Sequence, residues 1–328
     1  MRQKITITIS VLLLLLAVYL IARDLFRKPA ELTNASYCID DISVLKQIDT
    51  ALVGYSRVAT ISTGVNDLTG IAVNEENRVF ACGNRRVVIF DSTGKTYGGF
   101  PVDTIPSCIA LNGPDIYLGL GSGIACFSSN GKKISQWKPV GTDGYITSVA
   151  FNEGYVYAAD AVRKIILKYS PDCKLIHEIG KRDTLTGAIG FVIPSMYFDI
   201  SFGAFSDLWA VNPGRLRIEN YTTDGHYQSG WGTAASENSG FTGCCNPAHF
   251  SKLPDGGFVT YEKGVDKIKV FDPTGGFICF VAGADSFKGD TDFQLNGNLV
   301  KDMAVGNDGL IYILDAYSQI NIFRKKDL

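Results

Sequence analysis

The sequence predicts an all-β chain folded as a six-bladed β-propeller, closed by an N-terminal strand and preceded by one transmembrane signal-anchor helix. Three observations carry this expectation. A two-strand phrase recurs six times beyond residue 50, a spare strand at residues 55 to 64 matches what the sixth unit lacks, and residues 5 to 22 form an apolar run without a charge.

The phrase reads VFACGNRRVVIFDSTGK from 79, IYLGLGSGIACFSSNGK from 116, VYAADAVRKIILKYSPDCK from 156, LWAVNPGRLRIENYTTDGH from 208, FVTYEKGVDKIKVFDPTGG from 258 and IYILDAYSQINIFRKK from 311. Each is a short apolar strand, a polar turn and a second strand closing on an aromatic: Phe90, Phe127, Tyr169, Tyr221, Phe271 or Phe323. Alternating β-branched and aromatic residues bounded by Gly, Asn and Asp are strand and hairpin signals. Cys173 occupies the turn position that Gly94, Gly131, Gly225 and Gly275 fill elsewhere. A left-handed backbone there costs a non-glycine residue about 1 kcal/mol.

Ahead of each phrase comes another strand: GIAV at 70, CIAL at 108, SVAF at 148, YFDI at 197, HFSKL at 249 and DMAV at 302. After most comes an outer strand, ending in Gly180, Gly232 or Gly283. Four strands per unit in six units make a propeller. The last unit stops after its third strand, and YSRVATISTG supplies the fourth, which removes the open edges. The domains expected are a tail and anchor at 1–28, a linker at 29–50 and the propeller at 51–328.

The run ITITISVLLLLLAVYLIA spans roughly 27 Å as a helix, close to the ~30 Å hydrocarbon core of a bilayer. It is longer than a usual signal-peptide apolar region, and no small-x-small site follows before Arg23, so the expectation is an uncleaved anchor with the membrane as partner. Basic residues flank it on both sides, so charge bias does not orient it. A short tail ahead of a large domain favours a membrane-anchored propeller outside the cytoplasm. Eight cysteines can pair in such a compartment, and none forms a C-x-x-C pair. A net charge of -2 gives no electrostatic footprint for nucleic acid.

The motifs resemble NHL-repeat propellers, whose blades carry an apolar-A-D, R/K-I, F-D, G pattern, visible in YAADAVRKIILKYS and ILDAYSQINIF. The resemblance spans about residues 51 to 328 and implies a fold that hosts binding modules, lyases and signalling domains alike. NHL-like amidating lyases use several histidines around a channel zinc, whereas this chain has His177 on an outer strand, His226 beside the blade-four turn, and His249. G-x-S-x-G, H-E-x-x-H and P-loop motifs are absent. The expectation is therefore a binding or assembly module rather than an enzyme, with a protein partner or small ligand at the channel mouth.

Loops entering the innermost strands and loops between second and third strands emerge on one face. The expected ligand-binding residues are Arg85, Arg163, Arg215 and Lys267 on those loops, together with Tyr197 and Asp302 in the channel. The alternative is that the basic residues are solvated or pair with Asp160, Asp266 and Asp315. Aligning the innermost strands places Gly70, Cys108, Ser148, Tyr197, His249 and Asp302 in one column. The expected metal or redox residues are Cys244, Cys245, His249 and Cys108, since thiolate with imidazole suits zinc or copper. For GFTGCCNPAHF, residues 240 to 250, a disulfide role, metal ligation, reactive thiols and inert thiols all remain open. The acidic segment GADSFKGDTDF, residues 283 to 293, lacks calcium-loop spacing and reads as a solvated loop.

Overall fold

The computed structural model describes residues 42–139, 141, 143–182, 189–203, 205–235, 237–287 and 298–327. The expected span at 5–22, Cys38, linker residues 29–41, and Asp290 and Asp292 lie outside the described residues. Among the described residues no helix is long and apolar enough to cross a membrane. The chain divides into two units, residues 1–44 and 45–328. Residues 42–44 open a short helix, α1 (Ile42–Lys46); all that follows concerns the second unit.

Strand β1 (Tyr55–Ser62) precedes the first blade. Blade one holds β2 (Leu68–Val73), β3 (Val79–Gly83), β4 (Arg86–Phe90) and β5 (Thr96–Pro101). Blade two holds β6 (Cys108–Asn112), β7 (Asp115–Leu120), β8 (Gly123–Phe127) and β9 (Lys133–Trp137). Blade three holds β10 (Ile146–Asn152), β11 (Tyr155–Asp160), β12 (Ile165–Tyr169) and β13 (Leu175–Ile179). Blade four follows with β14 (Ile200–Phe202), β15 (Leu208–Asn212), β16 (Arg217–Tyr221) and β17 (Tyr227–Trp231). Blade five has β18 (His249–Lys252), β19 (Phe258–Glu262), β20 (Lys267–Phe271) and β21 (Phe277–Ala282), and blade six β22 (Val300–Val305), β23 (Ile311–Asp315) and β24 (Gln319–Lys325). Among the described residues these form six antiparallel four-stranded sheets, the last completed by β1 in the order β1-β24-β23-β22. The spare N-terminal strand thus closes the ring, from Tyr55 opposite Lys325 to Ser62 opposite Gln319.

Middle strands are buried on both faces because each sheet is sandwiched between neighbours, as in β3, β12 and β20. The apolar clusters accordingly join one blade to the next: Phe100, Ile116 and Phe127 fill the gap between blades one and two, and Val281, Met303 and Phe323 that between blades five and six. Each such buried side chain contributes about 1.5–3 kcal/mol.

Turns between third and fourth strands follow from their sequence. In DSTG the Asp91 carboxylate accepts the N–H groups of Thr93 (2.9 Å) and Lys95 (3.0 Å), and Gly94 takes φ 83°. Cys173 adopts φ 63° at the equivalent position, so the strained slot expected from the sequence is real. Glycine serves a second purpose here: a Cβ on Gly131 would stand 2.5 Å from Phe100, and one on Gly275 2.6 Å from Trp231, both on the outer strand of the preceding blade.

The aspartates of the repeated A-D motif cap the loops between second and third strands. Asp160 Oδ1 accepts the N–H groups of Val162 (3.1 Å) and Arg163 (3.0 Å), and Asp315 Oδ1 those of Tyr317 and Gln319 (both 2.9 Å).

The second unit begins at Leu45; Lys46 pairs with Asp266 of blade five at 3.7 Å, and Gly54 N–H donates to Phe280 O at 3.0 Å. One expectation differs from the fold: the expected disulfides are absent among the described residues, where all seven cysteines are free. Cys82, Cys108, Cys126 and Cys279 are buried on strands β3, β6, β8 and β21. Cys244 and Cys245 approach only to 3.3 Å between sulfurs, against the ~2.05 Å of a disulfide.

Candidate functional site

The innermost strands touch in ring order, and their pairings mark equivalent channel positions: Gly70 opposite Cys82, Cys108 opposite Gly119, Ser148 opposite Ala159, His249 opposite Tyr261 and Asp302 opposite Leu314. In blade four that position belongs to Asp199, whose carbonyl accepts Val211 N–H at 3.0 Å, rather than to Tyr197. A two-residue shift leaves a strand's face unchanged, so alternation does not reveal it. A usable signal was present: DISF at 199 matches GIAV, CIAL, SVAF, HFSK and DMAV better than YFDI does. Tyr197 instead packs its ring edge-on against His249, 5.2 Å between centroids.

Consecutive blades four, five and six therefore present Asp199, His249 and Asp302 side by side. One donor atom from each lies within 4.8 Å of the others, and His249 Nδ1 is 2.8 Å from Asp199 Oδ2. His249 and Asp199 are 8% and 9% exposed, while Asp302 keeps more of its surface open to the lumen. Burial pushes the Asp302 carboxyl up to about 7; His249 opposes and the Asp199 charge reinforces that rise. For His249 burial disfavours the charged ring, but the two carboxylates outweigh it and raise its pKa.

Part of this polarity has a scaffold role. Asp302 Oδ2 accepts Ile71 N–H of the next blade at 2.8 Å, Asp199 Oδ2 accepts Phe250 N–H at 3.4 Å, and Ser148 Oγ accepts Ile200 N–H at 3.2 Å. Side-chain acceptors at this position satisfy inner-edge N–H groups that have no strand partner. Serine suffices for that task, so the scaffold does not require two aspartates and a histidine together.

Cys108 occupies the same channel level, three blades from His249 and hence across the ring from it. Burial pushes its thiol up to about 12, so it stands protonated. The chemistry of the channel gathers instead around His249 and its two ring neighbours.

The GFTGCCNPAHF loop divides its residues among tasks. Phe241 is fully buried against Trp231 and Phe271. Asn246 clasps the adjacent loop, donating to Thr242 O (2.6 Å) and accepting Lys263 N–H (2.9 Å), and Ala248 is buried beside His249. Cys244 and Cys245 remain on the outside of this clasp. Partial burial and the neighbouring Cys244 push the Cys245 thiol up, away from thiolate reactivity.

Three of the four basic residues are held by their own blades. Arg163 pairs with Asp160 at 3.8 Å, and Arg215 with Glu219 at 3.2 Å. Lys267 is buried, with its ammonium 5.8 Å from the Phe280 ring, and burial lowers its pKa. Arg85 is exposed in a left-handed turn. On the same face Ile105, Tyr145, Val162, Ile189, Val192 and Met196 expose large apolar side chains from the loops of blades two, three and four.

No protein-family model and no curated protein matches this chain. Solved structures do. A streptogramin B lyase is 14% identical, with 83% of this chain and 97% of that one covered at a TM-score of 0.58. Virginiamycin B lyase from Staphylococcus aureus is 14% identical, with coverage of 83% and 100% and a TM-score of 0.57. The WD40 propeller domain of Doa1 is 10% identical, with coverage of 84% and 98% and a TM-score of 0.56. At these identities the likeness is one of fold, and the chain is a six-bladed β-propeller.

Proposed function

We propose that the protein is a membrane-tethered, extracytoplasmic binding module that docks a protein partner on the channel-mouth face. The observation that carries this reading is the gathering of Ile105, Tyr145, Val162, Ile189, Val192 and Met196 on the loops of three consecutive blades. Elsewhere exposed apolar residues are dispersed, one or two to an outer strand: Val58, Tyr97, Ile134, Leu175 with Ile176, Tyr227 and Ile278. Single exposed residues are ordinary, whereas a gathered set on one face marks an interaction surface. The uncharged run at 5–22 supports the tether.

The test uses the full chain in its native membrane, with a photo-cross-linker placed at Val162 or Met196 and, as controls, at Tyr97 or Phe205. One partner band shared by Val162 and Met196 and missing from the controls is expected. Adducts confined to the controls, or none from either mouth position, overturn the docking face. Protease added to intact cells should trim the propeller if it lies outside the cytoplasm.

A second reading, a metal-binding or redox component built on the Cys-Cys-Asn-Pro-Ala-His loop, is favoured by the 3.3 Å separation of Cys244 and Cys245. Closing that pair removes two protons and two electrons, which an added disulfide oxidant would accept. Thiol counting before and after such an oxidant decides it: the Cys244→Ser/Cys245→Ser variant should lose a two-thiol change that the wild type shows.

A further inference from the structure

We infer that Asp199, His249 and Asp302 form a site for one divalent first-row cation of the zinc class inside the propeller channel. Tetrahedral ligand atoms about 2.0–2.2 Å from such an ion stand about 3.3–3.6 Å apart. His249 Nδ1 and Asp199 Oδ2 already lie 2.8 Å apart, and the full spread, within 4.8 Å, closes to that range with a side-chain shift of about 1 Å.

Charge favours the same occupant. Two carboxylates face each other beside His249, and among the described residues no lysine or arginine comes within 4.0 Å of either. The proton shared with His249 offsets this charge only in part, whereas a divalent cation held by all three side chains offsets both carboxylates at once. The imidazole is also under-committed: Nδ1 meets Asp199 at 2.8 Å, but Nε2 is buried without a hydrogen-bond partner among the described residues. A ring held by one hydrogen bond can turn to offer either nitrogen, and the cation takes the place of the proton now lying between His249 and Asp199.

The donor set defines the class of ion. One imidazole nitrogen and two carboxylate oxygens suit zinc, iron or manganese, and the sulfurs of Cys244, Cys245 and Cys108 take no part. Three protein ligands from three blades leave a coordination position facing the lumen, where water or a ligand oxygen can bind. Tyr197 and Tyr261 flank the imidazole, with ring centroids 5.2 and 6.2 Å from it, and fix its walls. This site stands or falls independently of the docking face, since its readout needs no partner.

The experiment titrates the detergent-solubilised full chain, stripped with a chelator, with Co2+ and then Zn2+. Expected are one equivalent of Co2+ per chain, visible d–d bands without an intense sulfur-to-cobalt band, and displacement by Zn2+. His249→Gln, Asp199→Asn and Asp302→Asn should each weaken binding by at least ~100-fold, the upper range for loss of a mere supporting group. The asparagines retain a carbonyl acceptor for the inter-blade N–H groups, and Cys244→Ser/Cys245→Ser should bind as the wild type does. Wild-type protein that takes up no stoichiometric ion, a sulfur band in its spectrum, or undiminished binding by all three channel variants overturns the site. Should the variants fail to fold, the wild-type stoichiometry and band pattern decide alone.

Discussion

Glu262 Oε1 and Lys269 Nζ lie 2.5 Å apart inside blade five, with side chains 0% and 1% exposed. The pair fastens the loop ahead of His249 at both ends of its charge: Glu262 Oε2 accepts Thr242 N–H at 2.6 Å, and Lys269 Nζ donates to Gly240 O at 2.5 Å. Lys269→Met should strand a buried carboxylate and cost about 3–5 kcal/mol. Glu262→Gln combined with Lys269→Met should recover part of that loss. Denaturant unfolding of both variants measures the coupling, and a single-variant cost under about 1 kcal/mol would show that the pair does not brace the loop.

The channel carboxyl predicts how stability follows pH in chelated, metal-free protein. Asp302 has its folded pKa raised to about 7, above its ordinary 3.8, so its contribution is fully present below about pH 3.8 and is lost as pH rises through 7. His249, raised from 6.5, acts with the same sign: present below 6.5 and lost as pH climbs through its folded value. The melting temperature of the wild type relative to Asp302→Asn should therefore fall between about pH 4 and pH 7. A difference that stays flat or grows across this range contradicts the environment assigned to Asp302.

Cys173 sits at φ 63° where other blades use glycine. Cys173→Gly removes the left-handed strain and should raise stability by up to ~1 kcal/mol, less whatever thiol packing is lost. Gly131→Ala should do the reverse, because its Cβ meets Phe100 at 2.5 Å as well as taking on the strain of φ 82°. Thermal melts that rank Gly131→Ala at or above wild type would contradict the inter-blade contact.

Truncation separates the packed linker from the closing strand. Chains beginning at Leu45 should melt as the whole propeller does. Those beginning at Tyr55 lose the Lys46–Asp266 pair and the Gly54–Phe280 hydrogen bond, and should be modestly weaker. Removal through Gly64 exposes the edge of β24 and should give an aggregating, less cooperative protein. Identical melts for all three would show that β1 does not close the ring.

The repeat, the blade count, the closing strand and the strained Cys173 turn were all determined by the sequence itself. Strand alternation, turn chemistry and the need to cover an open edge act over a few residues or through a plain count of strands, so they leave a linear record. The site was decided only by the ring. Asp199, His249 and Asp302 stand 50 and 53 residues apart in the chain, and they meet because each occupies the equivalent channel position of a successive blade. His249 and Asp302 were legible as channel residues, but Asp199 was hidden by a two-residue shift that period-two alternation cannot register. Cys108 shares their level yet lies three blades away from His249, and Lys267 turns into the blade instead of the mouth. Those outcomes depend on angular position around the channel and on which side chains fill the gaps between blades, and both are fixed only when the last strand meets the first.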